Sequence, residues 1–218
     1  MEIINELNEY KNENKNYQKF FKKEYTTTIF LGISVPTQRK IAKKYKELSF
    51  KQIQKLLKSK YHEYRLTAIF ILLQKYKKNP KKTYEFYLEN INCINNWDLV
   101  DSSAYKIIGK YLEKNSRKIL YELAKKDLWQ KRIAIVATLH FIKHKDYEDT
   151  LKIAKLYLKE EHDLLHKATG WMLREIGKQN KQVLDQFLEK QKRKMPRTML
   201  RYAIEKHTKK QKQIFLQR

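Results

Sequence analysis

At 218 residues and 41% hydrophobic, the chain is long enough for one sizeable core or two small domains. Lysine and arginine number 49 against 24 aspartates and glutamates, and the net charge of +25 favours polyanionic partners, nucleic acid before anionic membrane, although a solvated lysine coat would give the same balance. The single Cys93 excludes an intramolecular disulfide and any cysteine-based zinc site, and no stretch approaches the ~20 apolar residues of a membrane helix. Four glycines and three prolines leave few turn residues for hairpins, while Leu, Ile, Lys, Glu, Gln and Ala recur at helical spacing. An all-α chain is predicted. Caps and first-turn prolines place helix starts after Val35-Pro36, Ser49, Tyr61, Asn79-Pro80, Asn96, Asn115, Asp127, Lys145, Glu161, Asn180 and Met195-Pro196. The N-terminus "MEIINELNEYKNENKNY" lacks the apolar core of a signal peptide, so a cytoplasmic location is expected.

Starts near Tyr61, Trp97, Trp129, His162 and Pro196 are separated by 36, 32, 33 and 34 residues, a period that accommodates two helices per repeat. A faint signature travels with it in "RLTAIF" from Arg65, "RIAIVA" from Arg132 and "KATGWM" from Lys167. The pattern predicts a curved solenoid of antiparallel helix pairs, with an ordinary helical bundle as the plainer alternative. The expected organisation is a single domain over 1–218: an N-terminal helical region to residue 30, repeats over 31–207, and a basic tail over 208–218.

The segment "NCINNWDLVDSSA" carries the first candidate chemistry. With Asn95 or Asn96 as cap, Trp97 and Asp101 share a helix face, beside a stripe of Val100, Ala104, Ile107 and Ile108. An ionised Asp101 bordering that stripe needs a cationic or hydrogen-bonding partner. Asp98 points elsewhere and reads as a first-turn carboxylate favoured by the helix dipole. Arg132 lies on the face of Ile135, Val136 and Leu139 and needs an anion; a structural bridge to Asp101 and a substrate contact both satisfy it. In "HDLLHKATGWMLREIGKQN", Leu165, Ala168, Met172 and Ile176 make the core stripe, while Lys167, Trp171, Arg174 and Lys178 follow one another on a second face. An indole among three cations fits contact with phosphate and with a sugar or base, or a tryptophan folded under lysine stems. Arg39, Lys40, Lys43 and Lys44 after Pro36, and Arg197 and Arg201 after Pro196, form basic rows, read equally as phosphate contacts or solvated faces. His140 with His144, and His162 with His166, have the i, i+4 spacing of metal ligands, but no third ligand is evident and no metal is expected. Glycine-rich phosphate loops and serine-hydrolase elbows are missing from the sequence, and no cofactor is expected.

Taken together, "GISVPTQRKIAKKY", "NNWDLVDSSA", "KRIAIVATLHFIK", "HKATGWMLREIGK" and "MPRTMLRYAIEKH", in this order, resemble the AlkD-like DNA alkylation-repair glycosylases, built from HEAT-like repeats. The resemblance runs from about Leu31 to His207. It implies a monofunctional glycosylase that removes purines made cationic by alkylation at ring nitrogen 3 or 7 from double-stranded DNA. It further implies that Asp101 is the catalytic aspartate, that Trp97 and Trp171 wall the lesion's sugar, and that Arg132 meets the DNA backbone or the active site. In one respect the chain departs from the pattern: Asn96 stands where some members carry a second aromatic residue. Family relatives without glycosylase activity exist, so a non-catalytic repeat module binding nucleic acid or an acidic protein is the alternative. A monomer acting away from membranes is expected.

Overall fold

The structure, a computed structural model, describes residues 1–14, 19, 21 and 28–217. Among these the chain is all-α, with no strand beyond an isolated parallel bridge between Ile29 and Tyr61, and no helix long and apolar enough to cross a membrane. It divides into two compact units, Met1–Ser103 and Ala104–Arg218.

The first unit holds α1 (Glu2–Glu9), α2 (Val35–Lys44), α3 (Phe50–Leu57), α4 (His62–Lys78), α5 (Pro80–Glu89) and the start of α6 (Trp97–Ala104). Local chemistry sets the starts. Ser34 caps α2 ahead of Pro36, and Ser49 with Gln52 forms a capping box on α3. Helix α4 packs against α2, α3 and α5, and its residues His62–Leu72 are buried on every side. That burial encloses the polar side chains of His62, Glu63 and Arg65 in its first turn. Each is committed to chain far away in sequence. Glu63 accepts the backbone N–H groups of Leu31 (2.9 Å), Gly32 (2.8 Å) and Ile33 (3.4 Å), fixing the loop that enters α2. Gly32 turns that loop at φ +75°, a conformation in which a side chain would be strained. Arg65 donates to Thr28 Oγ1 (2.9 Å), the Cys93 carbonyl (2.6 Å) and Asn95 Oδ1.

The second unit continues through a π-helical turn at Tyr105–Gly109 into α7 (Lys110–Leu112), then α8 (Lys118–Leu123), α9 (Leu128–Ala137), α10 (Leu139–Lys143) and α11 (Glu148–Leu156). It ends with α12 (Asp163–Gln179), α13 (Lys181–Gln191), α14 (Arg197–Ala203) and α15 (Lys209–Leu216). Helix α12 is the hub, packed by α9, α10, α11, α13 and α14, and it buries the predicted stripe Leu165, Ala168, Met172 and Ile176. Its approach to α14 depends on Gly170: a Cβ there would lie 2.5 Å from the Met199 carbonyl oxygen and 2.5 Å from Tyr202 Cβ. Gly170→Ala should therefore lower stability by about 1–3 kcal/mol, because forced separation of packed helices outweighs the roughly 1 kcal/mol that alanine gains in helix propensity. A shift of the denaturation midpoint to lower urea at constant slope would show it; a shift to higher urea would mean the two helices part freely.

Most predicted starts agree with the structure, including Asp127 capping α9 and Asn180 capping α13. The structure adds detail at the two ends. The stretch read as a basic tail is helix α15, capped by Thr208 with Gln211 in a second capping box. Of the N-terminal region, residues 2–9 are helical, whereas residues 15–18, 20 and 22–27 lie outside the described residues, as does Arg218.

Candidate active site

In the first unit, Asn96 accepts the N–H of Val100 on its main-chain carbonyl (3.1 Å) and the N–H of Trp97 on Oδ1 (2.8 Å), starting α6 where the sequence predicts. Trp97 is half-buried and stacks on Phe21, with ring centroids 5.2 Å apart and planes 20° from parallel. Phe30 packs on Phe21 at 4.7 Å, and the His62 ring touches both phenyl groups at 5.0 and 4.9 Å. The aromatic surface beside Trp97 is thus supplied from residues 21 and 30. Asn96, where a neighbouring aromatic is missing in sequence, is fully buried.

The two aspartates of the motif have unlike surroundings. Asp98 is buried and accepts a 2.7 Å hydrogen bond from His62 Nε2, with Oδ1 on the N–H of Leu99 (2.8 Å). Asp98 is thus the first-turn carboxylate that the sequence predicts, with a buried partner on α4 that the sequence does not reveal. Asp101 is half-buried on the next turn. Its charge reaches the fully buried Tyr87, whose phenol is pushed above its ordinary pKa by burial and, in addition, by Asp101, against a 2.9 Å hydrogen bond with Ser103 Oγ. Burial lowers the pKa of Arg65, and the negative charge of Asp98 works against that shift. Val100, Ala104, Ile107 and Ile108 are buried as predicted.

The remaining candidates of the first unit lie on α2. Arg39, Lys40 and Lys43 are exposed, and the Arg39 guanidinium sits 4.0 Å over the Phe70 ring. Lys44 is tied at 2.6 Å to Glu6 of α1.

In the second unit, Arg132 is buried and its guanidinium donates to the Leu164 carbonyl. Trp171 is half-buried, and its indole N–H donates to Glu175 at 3.1 Å. The cations flanking it each meet a carboxylate: Lys167 with Asp163 (2.6 Å), Arg174 with Glu205, and Lys178 with Glu175 (2.7 Å). Each of the three bases that flank the indole is therefore accompanied by an acid. Arg201 is exposed, whereas Arg197 donates to the Leu216 carbonyl (2.8 Å) and caps the C-terminus of α15.

The histidine pairs also separate. His162 Nδ1 accepts the Leu164 N–H (3.2 Å) and His166 Nε2 donates to the Glu160 carbonyl (2.5 Å), so backbone groups engage both rings. Beside His140 and His144 stands Glu113, the third potential ligand that the sequence does not reveal.

A family profile described as "DNA alkylation repair enzyme" matches residues 3–207, nearly the whole chain and all the candidate positions. The chain belongs to that family. Among solved structures it is similar to a predicted DNA alkylation repair enzyme from Enterococcus faecalis, with a TM-score of 0.69 and 18% identity over 84% of this chain and 90% of that one. At this identity the likeness speaks for a shared fold. No curated protein matches the sequence significantly. Membership accords with the motif segments from which the resemblance was drawn, and it implies DNA as the substrate. His62, the partner of Asp98, and Phe21, the partner of Trp97, are the local residues that sequence reasoning missed. The only hint of His62 was its place at the start of a helix carrying buried polar groups.

Proposed function

We propose that this chain is a DNA glycosylase that hydrolyses the N-glycosidic bond of cationic purines alkylated at ring nitrogen 3 or 7 in duplex DNA. The observation that carries the reading is a half-buried carboxylate, Asp101, one turn along α6 from a half-buried indole, Trp97, within a strongly cationic chain of the DNA alkylation repair family. Cleaving the bond develops positive charge on the anomeric carbon, and a fixed carboxylate stabilises that charge more than it stabilises the ground state. A purine that is already cationic leaves as a neutral base. No general acid is required. Asp101 stabilises the sugar cation and orients the water that adds to it, while Trp97, backed by Phe21, presents an aromatic wall to the sugar. Trp171 and Arg132 take their proposed substrate contacts from the family resemblance. Purified chain incubated with methylated duplex DNA should release methylpurine bases; intact binding with no release would support the non-catalytic binding module instead.

The exposed bases Arg39, Lys40, Lys43 and Arg201 support backbone contact with the duplex. Affinity for undamaged duplex should fall with salt at a log–log slope of about −4 to −8, the value for roughly five to nine neutralised phosphates. Anisotropy titrations across a salt series would measure it, and a slope near zero would exclude phosphate contact as the source of affinity.

A further inference from the structure

Glu113, at the end of α7, meets the imidazoles of His140 in α10 and His144 just beyond it, all within the second unit. Glu113 Oε2 lies 3.1 Å from His140 Nε2 and Oε1 lies 3.7 Å from His144 Nε2, and one candidate ligand atom from each residue falls within 4.8 Å of the other two. Tetrahedral zinc with bonds of about 2.0–2.1 Å holds its ligand atoms about 3.3 Å apart. The observed spacings bracket that value. Among the described residues this is the one place where three such ligands gather.

The supporting contacts are those a metal-binding histidine uses. His144 Nδ1 lies 2.8 Å from the His140 carbonyl oxygen, which can only accept, so Nδ1 carries a proton and Nε2 is the ring atom turned toward Glu113. The approach of α7 to α10 depends on Gly109, one turn before Glu113. A Cβ there would lie 2.2 Å from the Ala137 carbonyl oxygen and 2.8 Å from His140 Cβ. Carbonyl groups at the end of α10 favour a cation, whereas Lys110 and Lys114, whose charges are felt by His140 and Glu113, oppose one.

We propose that Glu113, His140 and His144 form a surface site for one divalent transition-metal ion of the zinc class, with solvent completing its coordination. The ion would take the place of the proton between His140 Nε2 and Glu113, with the ring left carrying its proton on Nδ1, and would tie α7 to the end of α10. Two imidazoles and a carboxylate select zinc, cobalt or nickel over magnesium and calcium, which prefer all-oxygen shells. Its role is to join elements of the second unit, separate from the glycosidic chemistry assigned to Asp101.

The test uses the full chain without a histidine tag, stripped by chelator and titrated with zinc by calorimetry and with cobalt by visible absorption. One ion per chain should bind, raise the thermal midpoint, and give tetrahedral or five-coordinate cobalt bands; magnesium should do none of this. His144→Ala and Glu113→Gln should each weaken zinc binding by more than the roughly 10–100-fold that loss of a supporting hydrogen bond costs. Both side chains are substantially exposed, so both variants should retain the wild-type circular dichroism, and His144→Ala alone decides if the other misfolds. Absence of saturable one-to-one binding, or unchanged affinity in the folded variants, would overturn the site.

Discussion

Asp101→Asn should release methylated purines on the order of 100-fold or more slowly than the wild-type chain in single turnover, while binding methylated duplex at least as tightly. The substitution keeps volume and much of the hydrogen-bonding capacity but removes the negative charge offered to the developing sugar cation. Binding should survive because the lost group repels phosphate. Asp101 is half-buried, and its charge is felt by the buried Tyr87, so folding must be compared first by denaturation. If a folded Asp101→Asn releases base at the wild-type rate, Asp101 leaves the mechanism.

Asp98→Ala should instead act on stability, removing about 3 kcal/mol or more from the first unit. The loss arises because His62 and the main chain are left without the carboxylate that they face in a dry site. His62→Ala should cost a similar amount, since it strands the Asp98 charge and removes a ring packed on Phe21 and Phe30. The double variant should lose less than the sum of the two, a coupling that urea denaturation of all four proteins would measure. Additive losses would mean that the 2.7 Å contact contributes nothing beyond packing. Glycosidic activity lost in either variant should track the unfolded fraction; loss at full folding would give Asp98 a part in the chemistry.

Helix identity was legible along most of the chain because capping and apolar period are local properties. Ser49, Asp127 and Asn180 announce the helices they cap, and the Leu165–Ala168–Met172–Ile176 stripe declares which side of α12 is buried. What each polar side chain faces is non-local. Nothing near Asp98 in sequence reveals that His62 waits on α4, and nothing near Trp171 tells that Glu205 of the segment after α14 neutralises Arg174. Glu113 escaped for the same reason, being 27 residues from His140 and without any spacing rule to link them. Conversely, the Thr208-x-x-Gln211 box that starts α15 is local and readable in the sequence.

The polar first turn of α4 bears on how the first unit opens. Glu63 holds three successive amides of the entry loop, and Arg65 grips main chain at Cys93 and the side chain of Asn95, so neither segment has a fully bonded arrangement of its own without α4 in place. The amide protons of Gly32 and Ile33, although they belong to a loop, should exchange with solvent only when α4 itself comes away. Loop and helix then form one cooperative opening unit, which makes the path into α2 as slow to yield as the core beneath it.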